Sequence, residues 1–129
     1  MRPDGLWHPR LLEILAAAGH GDLIVVADAG LPVPRGVERV DLLWRRGEPG
    51  FVPLLRAVLE ECVIEHATLA EELSDPTLRR DLEQVLDGIP VELRPHEELK
   101  RLTEGAVVAV RTGAATPYAN AVLRCGVAF

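Results

Sequence analysis

Gly19-His20-Gly21-Asp22-Leu23-Ile24-Val25-Val26-Ala27-Asp28-Ala29-Gly30-Leu31-Pro32-Val33-Pro34 is the stretch around which the rest of the chain is organised. It reads as a loop, a buried strand and a second loop. Leu23 to Ala27 is a short apolar run rich in β-branched residues, the pattern of a strand covered on both faces. Gly30, Pro32 and Pro34 follow at once and stop further pairing. His20 stands in the loop before the strand and Asp28 at its C-terminal edge, so a titratable group flanks each end of a rigid element. The eight residue steps from one to the other span up to about 27 Å of extended chain. The two side chains can therefore share a site only if the loop at His20 folds back, or if a second copy of the chain supplies one of them.

Outward from this strand, helical and extended patterns alternate. Pro9 to Ala18 reads as a helix with an apolar stripe of Leu11, Leu12, Ile14 and Leu15, stopped at Gly19. Val37 to Trp44 is a predicted strand, and Gly47-Glu48-Pro49-Gly50 a turn. Phe51 to Glu61 is a predicted helix with Leu54, Leu55, Val58 and Leu59 on one face and Pro53 in its first turn. Val63 to Glu71 fits helix or strand, and a strand is favoured because a helix has just ended. Asp75 caps a helix that starts at Pro76 and runs to about Leu86, with Leu78, Leu82, Val85 and Leu86 inward. Val91–Arg94 is a short strand, Glu97–Leu102 a short helix, Ala106–Val110 a buried strand and Ala121–Leu123 a last strand. Strands alternating with helices predict one α/β domain over residues 1–129, a three-layer α/β/α sandwich around a largely parallel central sheet.

Composition narrows the function. The chain has 129 residues, 48% hydrophobic and only 4% aromatic, so its core is built of Leu, Val, Ala and Ile. A net charge of −6 argues against nucleic acid and anionic membrane surfaces as partners. No apolar run reaches the ~18–20 residues needed to span a bilayer. The N-terminal residues lack the apolar region of a signal peptide, and the expected location is the cytoplasm. Cys62 and Cys125 lie near apolar segments and read as buried free thiols. Ser74 and Lys100 are the sole serine and lysine; the first reads as a turn or cap and the second as solvated, so neither is a nucleophile candidate.

Each of the four histidines has its own reading. His8 reads as solvated and His66 as a packing residue. His20 stands between glycines in a loop, where functional residues concentrate; His96 opens a helix after Pro95 and reads either as a helix-start residue or as a functional one. Gly19-His20-Gly21 precedes its strand and lacks a third glycine, so it is not a dinucleotide fingerprint. No phosphate loop and no paired Cys or His spacing is present. A metal site would have to use scattered ligands such as His20, Asp28 and His96. The loop from Arg111 to Asn120 holds the only tyrosine, Tyr118, and the only asparagine, Asn120. A hydroxyl, an aromatic face and an amide suit a polyhydroxylated ligand such as a sugar. A turn residue and a half-buried core residue would be the ordinary alternatives for the same pair.

Ala-Gly-His-Gly-Asp at 18–22 and Asp-Ala-Gly-Leu-Pro-Val-Pro at 28–34 resemble the ribose pyranase and fucose mutarotase family. So do His96-Glu97-Glu98-Leu99-Lys100, Arg-Thr-Gly at 111–113, Pro-Tyr-Ala-Asn at 117–120 and the closing Gly-Val-Ala-Phe. The motifs stand in family order over nearly the whole chain, with a somewhat short segment around Pro76–Gly88. Asp-Ala-Gly-Leu-Pro and Tyr-Ala-Asn resemble the ribose pyranase branch. The resemblance implies interconversion of the pyranose and furanose forms of D-ribose without cofactor or metal. It casts His20 as the catalytic acid and Asp28, His96, Tyr118, Ala119 and Asn120 as sugar-binding groups. It further implies a homo-oligomer, a decamer of two stacked pentamers, with sites between subunits. The alternatives are a fucose-type mutarotase and a non-catalytic sugar-binding or regulatory module.

Overall fold

The computed structural model describes every residue from Met1 to Phe129. Its elements are α1 (Pro9–Ala17), β1 (Leu23–Ala27), β2 (Glu38–Asp41), α2 (Phe51–Glu61), β3 (Ile64–Ala70), α3 (Pro76–Val85), β4 (Val91–Arg94), α4 (His96–Thr103), β5 (Ala106–Arg111) and β6 (Ala121–Cys125). All six strands join one sheet in the order β2-β5-β1-β6-β3-β4. The pairs β1–β5, β2–β5 and β3–β4 are parallel, while β6 runs antiparallel to both of its neighbours, β1 and β3. The sheet is thus largely parallel, with one reversed strand near its middle.

Alternation along the strands builds the three layers. Ile24 and Val26 of β1, Val108 and Val110 of β5 and Leu123 of β6 point to one face. There they meet Leu11, Ile14 and Leu15 of α1, Leu54, Leu55 and Val58 of α2, and Leu82 of α3. Val25, Ala27, Ala109 and Val122 point to the other face, under Leu99 of α4 and Leu31 of the loop after β1. A strand buried on both faces needs no polar alternation, which is why β1 reads as a continuous apolar run. Fully enclosed side chains such as Leu55 and Leu99 each stabilise the fold by about 1.5–3 kcal/mol.

The helix ends follow local chemistry. Asp75 accepts from the Leu78 N–H at 2.8 Å and caps α3, with Pro76 in the first position as the sequence predicts. His8, expected in solvent, instead caps α1: its Nδ1 accepts the Leu11 N–H at 3.1 Å. α4 begins one residue earlier than expected, at His96, and runs to Thr103. The second strand is shorter than the expected Val37–Trp44. It ends at Asp41, one residue before Leu42 donates to Arg111 O, because the chain then folds into a tight turn closed between Arg45 and Glu48. Val63–Glu71 forms a strand, as favoured, over Ile64–Ala70. β6 extends two residues past Leu123, held at its end by the bond from Cys125 N–H to Asp22 O. No helix is long and apolar enough to cross a membrane.

Candidate active site

Parallel β1 and β5 finish together, with Ala27 opposite Arg111, and antiparallel β6 starts beside them, with Ala121 opposite Val26. Asp28, the Arg111–Gly113 segment and Asn120 therefore emerge at one edge of the sheet. β3 and β4 end at the same edge and deliver Glu72 and His96. The C-terminal edge of strands is where ligands lie in open α/β sheets, since loops there can vary on a fixed frame.

Asp28 and Asn120 lock each other. The Asp28 N–H donates to Asn120 Oδ1 at 2.9 Å, and Asn120 Nδ2 donates to Asp28 Oδ2 at 3.0 Å. The Gly30 N–H donates to the other carboxylate oxygen at 2.8 Å. Asn120 is only 1% exposed, so its amide serves Asp28 first. Each Asp28 oxygen keeps acceptor capacity for a further donor, such as a hydroxyl. Asp28 is half-buried, so that capacity is within reach of a ligand.

Tyr118 has φ 64°, the left-handed region that a bulky residue enters at a cost of order 1–3 kcal/mol. That bend lets the chain reverse between Pro117 and Ala121, with Asn120 N–H closing on Tyr118 O at 2.9 Å. The Tyr118 ring meets the His96 ring edge-on, 5.1 Å between centroids at 76°. His96 is the first residue of α4, and its N–H is held by both oxygens of the Glu72 carboxylate at 2.9 and 2.8 Å. Its Nδ1 is shielded from solvent and has no hydrogen-bond partner within the chain. Ala119 is fully buried, with its N–H given to Thr116 O.

The surrounding loop is rigid for visible reasons. Arg111 forks onto Asp41 at 2.6 and 2.9 Å and reaches Ala29 O at 3.3 Å, tying the ends of β5 and β2 to the loop after β1. The guanidinium holds the Asp41 carboxyl below the usual carboxylate range. The Thr112 hydroxyl donates to Ala27 O at 2.9 Å and accepts the Ala114 N–H at 3.1 Å. Gly113 is packed under the Arg45–Glu48 turn, where a Cβ would overlap backbone atoms of both residues.

His20 lies at the other end of the sheet. It occupies the turn between α1 and β1, with the Gly21 N–H on Cys125 O at 2.9 Å and the Asp22 carboxylate on the Gly19 N–H at 2.8 Å. The loop does not fold back toward Asp28. The His20 side chain is 60% exposed, and its Nε2 lies 3.0 Å from Glu65 on β3. One chain thus gathers Asp28, His96, Tyr118, Ala119 and Asn120 and leaves His20 apart. The scattered metal set of His20, Asp28 and His96 is not brought together within a chain, and no three His, Cys, Asp or Glu side chains cluster with metal-holding geometry.

Some features escape a sequence reading. Glu72 and Glu65 bond to residues that are distant in sequence, so no local signal marks them; Arg111 stands in the Arg-Thr-Gly motif, but its pairing with Asp41 is equally invisible locally. His8 was open to prediction, since Pro9 in the first helical position makes its predecessor the cap. His66 is half-buried, 3.7 Å from Glu92 and away from the site, in keeping with a packing role. Lys100, expected in solvent, is only 32% exposed and pairs with Glu97 at 2.7 Å, one helical turn beyond His96. Cys62 and Cys125 are free; burial pushes the Cys62 thiol up to about 11 and raises that of Cys125 as well.

Comparison with known proteins identifies the fold and the family. Residues 1–128 match the model of the RbsD / FucU transport protein family. The chain is 44% identical, over the whole of both chains, to a D-ribose pyranase of Symbiobacterium thermophilum. The solved structure of Bacillus subtilis RbsD complexed with D-ribose superposes with a TM-score of 0.95 at 41% identity, covering all of both chains. A fucose mutarotase of Streptococcus pneumoniae in complex with L-fucose shares the fold, with a TM-score of 0.81 at 23% identity over 95% of this chain and 94% of that one.

Proposed function

Because this chain belongs to the RbsD / FucU family, we propose that it is a D-ribose pyranase, a sugar isomerase that interconverts the pyranose and furanose forms of D-ribose. The observation that carries this reading is the Asp28–Asn120 pair beside His96 and Tyr118. It is a preorganised set of acceptors, donors and an aromatic edge at the strand ends. Such a set fits a molecule covered in hydroxyls. Full-length identity to D-ribose pyranases, above that to the fucose mutarotase, supports ribose over fucose.

The chemistry matches the residues. Ring opening delivers a proton to the ring oxygen and removes one from the anomeric hydroxyl. Reclosure through a different hydroxyl changes the ring size. A histidine, with an ordinary pKa near ~6.5, can give or take a proton at neutral pH. Asp28 and His96 bind and orient hydroxyls, Tyr118 offers its ring and hydroxyl, and Asn120 fixes Asp28. Positioned acid–base catalysis of this kind supplies about 10²–10⁴-fold. The reaction needs no redox group and no metal, and it proceeds slowly in water alone.

His20 then belongs to the site of a neighbouring copy. In one chain it stands at the opposite end of β1 from Asp28, so a pocket holding both requires two subunits, as a decamer of two stacked pentamers would provide. The reading places the protein in the cytoplasm. Magnetisation-exchange NMR on D-ribose, with EDTA present, tests the proposal. Faster exchange between pyranose and furanose signals on adding protein is expected. Acceleration on L-fucose alone would make the chain a fucose mutarotase, and binding without acceleration would make it a sugar-binding module.

A further inference from the structure

His20 has a built partner. The pairing of β3 with β6 slips between Ile64 and His66: Ile64 faces Cys125 and His66 faces Arg124, leaving Glu65 as the extra residue. A bulge of this kind re-aims the side chain of the unpaired residue. Here it turns Glu65 toward the α1–β1 turn, where Oε2 lies 3.0 Å from His20 Nε2. The other oxygen, Oε1, lies 3.5 Å from Arg124 Nε on β6. The His20 turn is itself pinned to β6, through Gly21 N–H to Cys125 O and Cys125 N–H to Asp22 O, both 2.9 Å. Gly21, at φ +86°, supplies the left-handed backbone that this turn requires. The Asp22 carboxylate is turned to the backbone, its Oδ2 accepting the Gly19 N–H at 2.8 Å. Two strands and a turn thus converge to present one carboxylate to one ring nitrogen.

We infer that Glu65 is the positioning residue of His20: it accepts the Nε2 proton, so Nδ1 is the nitrogen that faces the sugar. This inference rests on the pyranase reading. A carboxylate on the far nitrogen fixes the tautomer and orientation of an imidazole and favours its protonated form. In ring opening, the bond between the anomeric carbon and the ring oxygen breaks, and its electron pair stays on the oxygen. That oxygen takes the Nδ1 proton. The anomeric hydroxyl gives its proton to water as the carbonyl forms, and His20 is left neutral with Nε2–H on Glu65. In reclosure another hydroxyl adds to the carbonyl carbon and returns a proton to Nδ1, while the carbonyl oxygen takes one from water. In an isolated chain both partners are open to solvent, with side chains 60% and 39% exposed, and such a pair holds weakly. A neighbour covering this end would dry it and strengthen it.

Two measurements test the assignment. Long-range ¹H–¹⁵N NMR of the assembled protein at alkaline pH, where an imidazole is neutral, reads the tautomer without reference to activity. Nε2–H is expected in the wild type and a mixture in Glu65→Ala; Nδ1–H in the wild type would overturn the assignment. Exchange rates on D-ribose provide the second. Glu65→Ala is expected to lower the rate at saturating ribose about tenfold or more with KM within about twofold, since Glu65 does not touch the sugar. Glu65→Gln, whose amide oxygen can still accept Nε2–H, is expected to recover part of that loss. An assembled Glu65→Ala protein with the wild-type rate would also overturn it. A wild type that does not accelerate ribose exchange sinks the pyranase reading instead, and the tautomer still decides the role of Glu65.

Discussion

The two ends of the central sheet are built differently. At the C-terminal end of β1 the polar groups are bonded to one another before any ligand arrives: Asp28 to Asn120 and Gly30, His96 to Glu72, Arg111 to Asp41 and Ala29. At the N-terminal end the backbone turn is pinned, yet the His20 imidazole stands in the open beside Glu65. On the proposed reading, the first end is a binding half whose geometry is fixed in advance, and the second is a proton-transfer half that awaits a cover. Both stand in one chain at opposite ends of β1, so that reading requires assembly to join them.

Breaking either half should give a different signature. His20→Ala is expected to lose about 10²–10⁴-fold of ring interconversion with an unchanged melting temperature, because the side chain is exposed. Unchanged exchange rates in that well-folded variant would remove His20 from the mechanism. Asn120→Ala should reduce ribose affinity and activity together and cost about 1–3 kcal/mol of stability, since it strips bonding partners from Asp28. A Tm equal to the wild type would show that the Asp28–Asn120 lock contributes nothing. Gly113→Ala should destabilise by about 1–3 kcal/mol, because the new methyl meets the backbone of the Arg45–Glu48 turn; chemical denaturation reads this directly.

The smallest effect concerns pH. Arg111 depresses the Asp41 pKa, so the pair stabilises the fold above the ordinary carboxylate range near pH ~4 and is lost as pH falls through the lower folded value. Asp41→Asn should therefore cost only about 0.2–1 kcal/mol at pH 7, as expected for a partly exposed pair. The difference from wild type should shrink toward pH 2. A gap that widened in acid would contradict the assignment.

The sequence shows much of the frame and little of the wiring. β1, β4 and α2 occupy the predicted residues because a short apolar run, a Pro-bounded segment and a clean helical stripe are local signals. The length of β2 was not legible: it ends where a turn closes over Gly113, 72 residues beyond Asp41 in sequence. Nor was the reversal of β6, since a strand's direction is set by its neighbours and not by its composition. Of the candidate binding residues, Tyr118 and Asn120 stood out as the sole tyrosine and asparagine, and Asp28 by its place at the end of β1. Glu65 did not. Along β3 it looks like any outward strand residue, and only the register slip against β6 aims it at His20.

The central claim is that each site draws His20 from one chain and Asp28, His96, Tyr118 and Asn120 from the next. Complementation tests it most directly. His20→Ala and Asn120→Ala proteins, each inactive alone, would be unfolded, mixed and refolded, with mixed oligomers near ten subunits confirmed by light scattering and mass spectrometry. Sites formed between unlike subunits would include pockets with both residues intact. Recovery of part of the wild-type exchange rate on D-ribose is the predicted result. Proven mixing without any recovered activity would mean that each site lies within one chain, and would contradict the account.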